Sequence, residues 1–190
     1  MTTITDILDF WFADGPNTKR MIWFQVNPNF DAACRDLCGA LLTPARDNTF
    51  DHWAATPDGA LALMLLLDQM PRNIHRGTAL AFASDEKARA TARDYIARGI
   101  DRELTQVQRG FIYLPFEHAE NLEDQDISVR LFTALCAGPC VENPERTIDF
   151  VHRHHDVIRR FGRFPHRNAA LGRTSTIAEA DYLTRPNAGF

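Results

Sequence analysis

The chain has 190 residues, 45% of them apolar and 24% charged, with a formal net charge of −4. That length fits a single domain, 1–190, with room for a buried core, and the composition excludes a disordered chain. An acidic balance without a lysine- or arginine-rich run argues against a nucleic-acid partner, whose backbone demands a basic face. Met1 to Asp9 has neither a basic start nor a long apolar stretch, and the longest apolar run, Ala60 to Leu67, is too short to span a bilayer. A chain without signal peptide or membrane span, located in the cytoplasm, is expected.

Along the chain the apolar spacing is helical. Phe10-Trp11-Phe12 and Trp23-Phe24 are expected to seal the N-terminal end of the core, with a pocket wall as the lesser alternative. Phe30, Ala33, Cys34, Leu37 and Leu41 form one amphipathic stripe. Asp58 caps a helix that is apolar on every side through Leu67. Asp68 then ends it, and a polar loop runs from Met70-Pro71-Arg72-Asn73 to Arg76-Gly77-Thr78. Ser84 caps the next helix, with Asp85 and Glu86 at its positive end and Gly99 past its last turn. Thr105 starts a helix that Pro115 should break or kink. A helix from about Glu123 to Ala137 stops at Gly138-Pro139. Asn143-Pro144 opens another that Gly162 closes, and Thr176 with Glu179 reads as a capping box for a last short one. No run alternates with period two, so the class is all-α, with roughly eight helices as antiparallel hairpins. Periodicity alone does not choose between a bundle and a stack of repeats.

Two C-x3-C pairs, Cys34/Cys38 and Cys136/Cys140, can be read as zinc ligands. Their spacing is looser than most structural knuckles, and Cys34, Cys38 and Cys136 lie on apolar helical faces where cysteine acts as a small hydrophobe. No metal and no cofactor are expected.

The candidate chemistry lies in three polar segments. Asp68 follows an apolar run, so its carboxylate needs a cation, and Arg72 four residues on is the natural partner, with Arg76 next. That pair either locks helix to loop or aims arginines at a ligand. Around Pro115, the segment Tyr113 to Asp124 gathers Glu117, His118, Glu120 and Asp124 as possible acids or bases; His118 is preferred because imidazole titrates near neutral pH. In the helix of His152, His154 and His155, only His154 falls in the middle of the apolar face at about 100° per residue. It is either a satisfied core histidine or a site residue. Phe164-Pro165-His166-Arg167-Asn168, with Arg163 before it and Arg173 after it, repeats the Pro–Arg–Asn pattern of the first loop. If the two loops meet, Arg72, Arg76, Arg163, Arg167 and Arg173 converge in an acidic chain and suit a carboxylate or phosphate. The alternative is that they bind the acidic cluster 117–126 and lock the helices.

At these residues the chain resembles the bacterial family called domain of unknown function 924. The resemblance rests on Phe10-Trp11-Phe12, Leu65 to Asn73, Tyr113 to Glu120, and Phe161 to Asn168 with Leu171 to Thr176. It implies a right-handed superhelix similar to tetratricopeptide repeats, and it implies no activity. The motif positions it carries over are Asp68, Arg72, Asn73, Arg76, Tyr113, His118, Glu120, Asp124, His154, Arg163, His166, Arg167, Asn168 and Arg173. Met70, His75 and Ala119 depart from the family pattern without removing a charge, and the cysteines lie outside it.

Three functions follow as expectations. One is a pocket that binds a small anionic molecule or a carboxylate-bearing peptide end through the arginines. Another is a cofactor-independent hydrolase or lyase with His118, His154 or His166 as general base. The last is a protein-interaction scaffold whose polar residues are structural. Oligomeric state is not legible.

Overall fold

The computed structural model describes residues 2–138, 143–186 and 188–189. Among them all regular structure is helical: Ile4–Trp11 (α1), Pro28–Cys38 (α2), Leu42–Arg46 (α3), Pro57–Met64 (α4), Met70–Ile74 (α5), Asp85–Ala97 (α6), Gln106–Glu117 (α7), Leu122–Cys136 (α8), Pro144–Phe161 (α9) and Ile177–Leu183 (α10). The start of α4 is capped by Thr56, whose hydroxyl accepts from Gly59, with Pro57 as the first helical residue; Asp58 lies inside the first turn instead of capping it. Glycine is required there, since a Cβ on residue 59 would sit 2.2 Å from the Trp53 carbonyl oxygen.

Helix α4 does not end at Asp68. A π-helical turn, Leu65–Gln69, joins it to α5, and the Met70 N–H bonds to the Leu65 carbonyl five residues back. The wider turn lets the chain pass Pro71, whose ring would clash with a carbonyl four residues earlier in a regular helix. Met70 to Asn73 is therefore helical, not the loop its polar residues suggest. Ala60 through Met70 are all buried, and α1, α6 and α7 pack around this central rod. Each fully buried leucine in it contributes about 1.5–3 kcal/mol of transfer free energy. Asp68 and Gln69 are the polar residues in that buried run.

Helix α7 also runs through its proline. Pro115 lies inside it, and the helix ends two residues later at Glu117. The carbonyls left open where α7 ends are gathered by Gln125, fully buried in α8, whose amide donates to Phe116, Glu117 and Ala119 oxygens at 3.3, 2.7 and 2.9 Å. One amide thus fixes the turn that carries Glu117 and His118. Helices α7, α8 and α9 pack in succession. Gly162, at φ +70°, closes α9 as its spacing predicts, and the 3-10 turn Pro165–Arg167 that follows packs against α10. Thr176 and Glu179 form the capping box of α10. No helix among the described residues is long and apolar enough to cross a membrane.

Candidate functional site

The two polar segments meet at Asp85. Arg72 donates to its Oδ1 at 2.9 Å and Arg167 to its Oδ2 at 3.3 Å, so one carboxylate at the head of α6 bridges two arginines nearly a hundred positions apart in sequence. Arg72 also donates to Asp68 Oδ1 at 3.1 Å. The Arg167 guanidinium lies between two aromatic faces, 4.6 Å from the Phe82 centroid and 4.5 Å from that of Phe164. Nε of both arginines is buried without a hydrogen-bond partner.

Asp68, only 1% exposed, is the hub. Its Oδ2 accepts from Gln69 at 2.6 Å, and its Oδ1 lies 2.8 Å from His118 Nδ1. Burial pushes its carboxyl up, but His118, Arg72 and Gln69 outweigh that and hold it well below the usual carboxylate range. His118 is held below its ordinary value by burial and by the Arg72 cation, against the pull of Asp68. The ring is thus neutral at neutral pH, with Nδ1–H donating to Asp68. Nε2 makes no hydrogen bond among the described residues, and the side chain is 16% exposed. A carboxylate that fixes one tautomer and leaves the other nitrogen as a base is the arrangement general-base catalysis uses. The π-turn places Asp68 there, and such turns recur at functional sites.

His154 and His166 adjoin the cluster. His154 donates from Nδ1 to the Phe150 carbonyl at 2.9 Å and packs edge-on against Phe164, its centroid 5.6 Å away. Burial, with His118, His166 and Arg167 nearby, holds it well below its ordinary value. His166 is pushed down to about 4 by burial and Arg167. Burial and the neighbouring Arg72 lower Arg167 to about 10, which leaves it charged at neutral pH. Glu117, 3% exposed, is pushed up to about 8 by burial and the Asp68 charge. It stands 3.6 Å from His154 Nδ1.

The other predicted residues sit in separate clamps. Asn73 and Arg76 both bind Asp31 of α2, Arg76 with two bonds of 2.9 Å. Arg163 grips Glu179 with bonds of 2.6 and 2.8 Å, and Asn168 donates to Ser175 and Glu179. Arg173 holds Glu120 at 2.6 and 2.9 Å, and Glu120 also accepts from the Phe164 N–H. Tyr113 donates to Asp101 at 2.6 Å; Asp124 pairs with Arg93 and, at 3.5 Å, Arg89. Of the five arginines proposed to converge, Arg72 and Arg167 do; the others are each committed to a carboxylate of their own.

Asp85, Phe82 and Gln69 belong to the site, and sequence reasoning missed them. Asp85 looks like an ordinary acid at a helix start, and nothing local distinguishes it from Glu86. Glu117 was visible as an acid but not as the buried one. Cys34 and Cys38 are buried thiols pushed up to about 12 by burial. Cys140 lies outside the described residues. Among those described, no group of three or more His, Cys, Asp or Glu side chains stands close enough to hold a metal.

The solved structure of a protein of unknown function, ATU0120 from Agrobacterium tumefaciens, superposes with a TM-score of 0.83 at 39% identity, over 95% of this chain and 96% of that one. No curated protein matches. Residues 7–187 match the bacterial proteins of unknown function grouped as DUF924, and the chain belongs to that family.

Proposed function

We propose that the protein is a cofactor-independent hydrolase or lyase, built on a single helical domain, that acts on a small anionic substrate with His118 as general base. The observation that carries this reading is the 2.8 Å contact between the buried Asp68 carboxylate and His118 Nδ1, which leaves Nε2 bare on a partly exposed ring. Arg72 and Arg167 supply the positive charge for the substrate's acidic group and for negative charge developing in the transition state. His166 and His154 stand beside the base as neutral rings that can relay or accept a proton.

A second reading, capture of a small anion or a peptide carboxylate without turnover, is favoured by the two buried Nε–H donors of Arg72 and Arg167. The scaffold reading, with its superhelical groove, draws on the carboxylate clamps of Arg76, Arg163 and Arg173.

One experiment separates them. Wild type and His118→Asn are incubated with small phosphate and carboxylate esters, amides and hydroxy acids, while thermal shift follows binding. The enzyme reading predicts turnover that drops by about 10²–10⁴-fold in the variant while the ligand-induced rise in melting temperature persists. Binding without turnover in both proteins overturns catalysis and supports capture. No shift and no turnover with any member of the panel leaves the scaffold.

A further inference from the structure

A cavity of about 210 Å³ opens beside the Met21–Phe24 turn, between α7, α8 and α9. Trp23, Phe111, Phe132 and Phe150 form its walls. It exceeds the roughly 150 Å³ that suffices for a benzene ring. Trp23 and Phe111 are held edge to face at 5.0 Å by the N-terminal aromatic cluster, so two walls are rigid. Glu117, 3% exposed, is the buried acid of its lining, and its carboxyl makes no hydrogen bond among the described residues. The neighbouring His154 Nδ1–H is already donated to the Phe150 carbonyl. Lys19 and Arg146 stand at the mouth, both exposed, and neither has a carboxylate partner among the described residues. Lys19 is positioned by the Phe24 ring, 5.5 Å from its centroid.

We propose that this cavity is a second binding site, for a small aromatic carboxylic acid that carries a hydroxyl or carbonyl oxygen at the end remote from its acid group. The ring lies among the aromatic walls, the carboxylate pairs with Lys19 and Arg146, and the remote oxygen accepts from Glu117. At neutral pH Glu117 holds its proton, because its carboxyl is pushed up to about 8, so it donates and presents no buried charge to the ligand. An amine would have to pass two cations to reach a group that is itself neutral. The site does not depend on the role of His118.

The test is titration of the full chain with 3-(4-hydroxyphenyl)propanoate, 3-phenylpropanoate and 3-phenylpropanol, followed by tryptophan fluorescence and calorimetry. One hydroxy acid is expected per chain, bound more tightly than the acid without hydroxyl, and the alcohol weakest. Glu117→Leu should abolish the preference for the hydroxylated acid. Lys19→Met with Arg146→Met, both at exposed positions, should abolish the preference for acid over alcohol. Gly110→Phe fills the cavity; a Cβ there meets only the Phe132 ring edge, at 3.9 Å, so the helix accepts it. That variant should lose about tenfold or more in affinity, roughly 1.4 kcal/mol. No saturable binding to wild type, or equal binding by folded Gly110→Phe, overturns the proposal.

Discussion

Asp68→Ala should lower stability by about 3–5 kcal/mol, the usual cost of removing one partner of a buried ion pair. The carboxylate lies at 1% exposure and serves Arg72, Gln69 and His118 together. Deleting it leaves the Arg72 cation with Asp85 alone and strands two further polar groups against the central rod. For a chain of this size each kcal/mol shifts the melting temperature by about 2–4 °C, so a drop of roughly 10 °C is expected. Asp156, whose pair with Arg159 is exposed on both sides, is the control; its alanine variant should change stability by about 1 kcal/mol or less. Urea denaturation of both variants checks the contrast, and an Asp68→Ala protein as stable as the control would show that the hub does not hold the fold.

Melting temperature should peak near pH 6.5. Folding depresses the three site histidines: His166 is brought to about 4, His154 well below 6.5, and His118 in the same direction. Between the folded and unfolded values the unfolded chain binds protons that the folded chain refuses, so stability rises with pH up to 6.5 and is lost on acidification. His166 alone accounts for roughly 3 kcal/mol across that window. Glu117 acts in the opposite sense. Its folded value of about 8 exceeds its unfolded 4.5, so its contribution is present below 4.5 and is lost as pH rises through 8. Below pH 6.5 the histidines together outweigh it; between 6.5 and 8 the loss from Glu117 prevails and stability declines, and the buried thiols of Cys34 and Cys38, raised to about 12, extend the fall above pH 9. Glu117→Gln should flatten the limb between pH 6.5 and 8 and leave the acid limb in place. A melting temperature that climbs steadily through pH 8 would contradict these assignments.

What the sequence revealed and what it hid divide along a physical line. Features set by neighbours in the chain were legible: the cap at Thr176, the helix stop at Gly162, the Asp68–Arg72 pair at helical spacing, and the all-helical class. Even there, proline was over-read. At Pro71 the π-turn opens the helix to admit the ring, and at Pro115 the helix is already within two residues of its end, where Gln125 satisfies the terminal carbonyls. Features set by distant partners were not legible. That Arg167 and Arg72 share Asp85, while Arg76, Arg163 and Arg173 each turn to a different carboxylate, depends on how α6, α2 and α10 are placed. Five arginines drawn from two similar polar segments therefore have different surroundings. The same holds for the acids of the 117–124 segment: Glu120 and Asp124 find arginines, whereas Glu117, one residue from His118, points into an apolar cavity.

Burial and Arg72 keep His118 neutral, and Asp68 fixes it as the Nδ1–H tautomer with Nε2 bare. Nitrogen-15 NMR of the imidazole rings at pH 7, with His118 assigned by loss of its signals in His118→Asn, measures this directly. A neutral ring protonated at Nδ1 is expected, with an Nε2 resonance characteristic of an unprotonated nitrogen. An imidazolium at that pH, or the tautomer with its proton on Nε2, would contradict it and leave the pair as an architectural ion bridge or hydrogen bond.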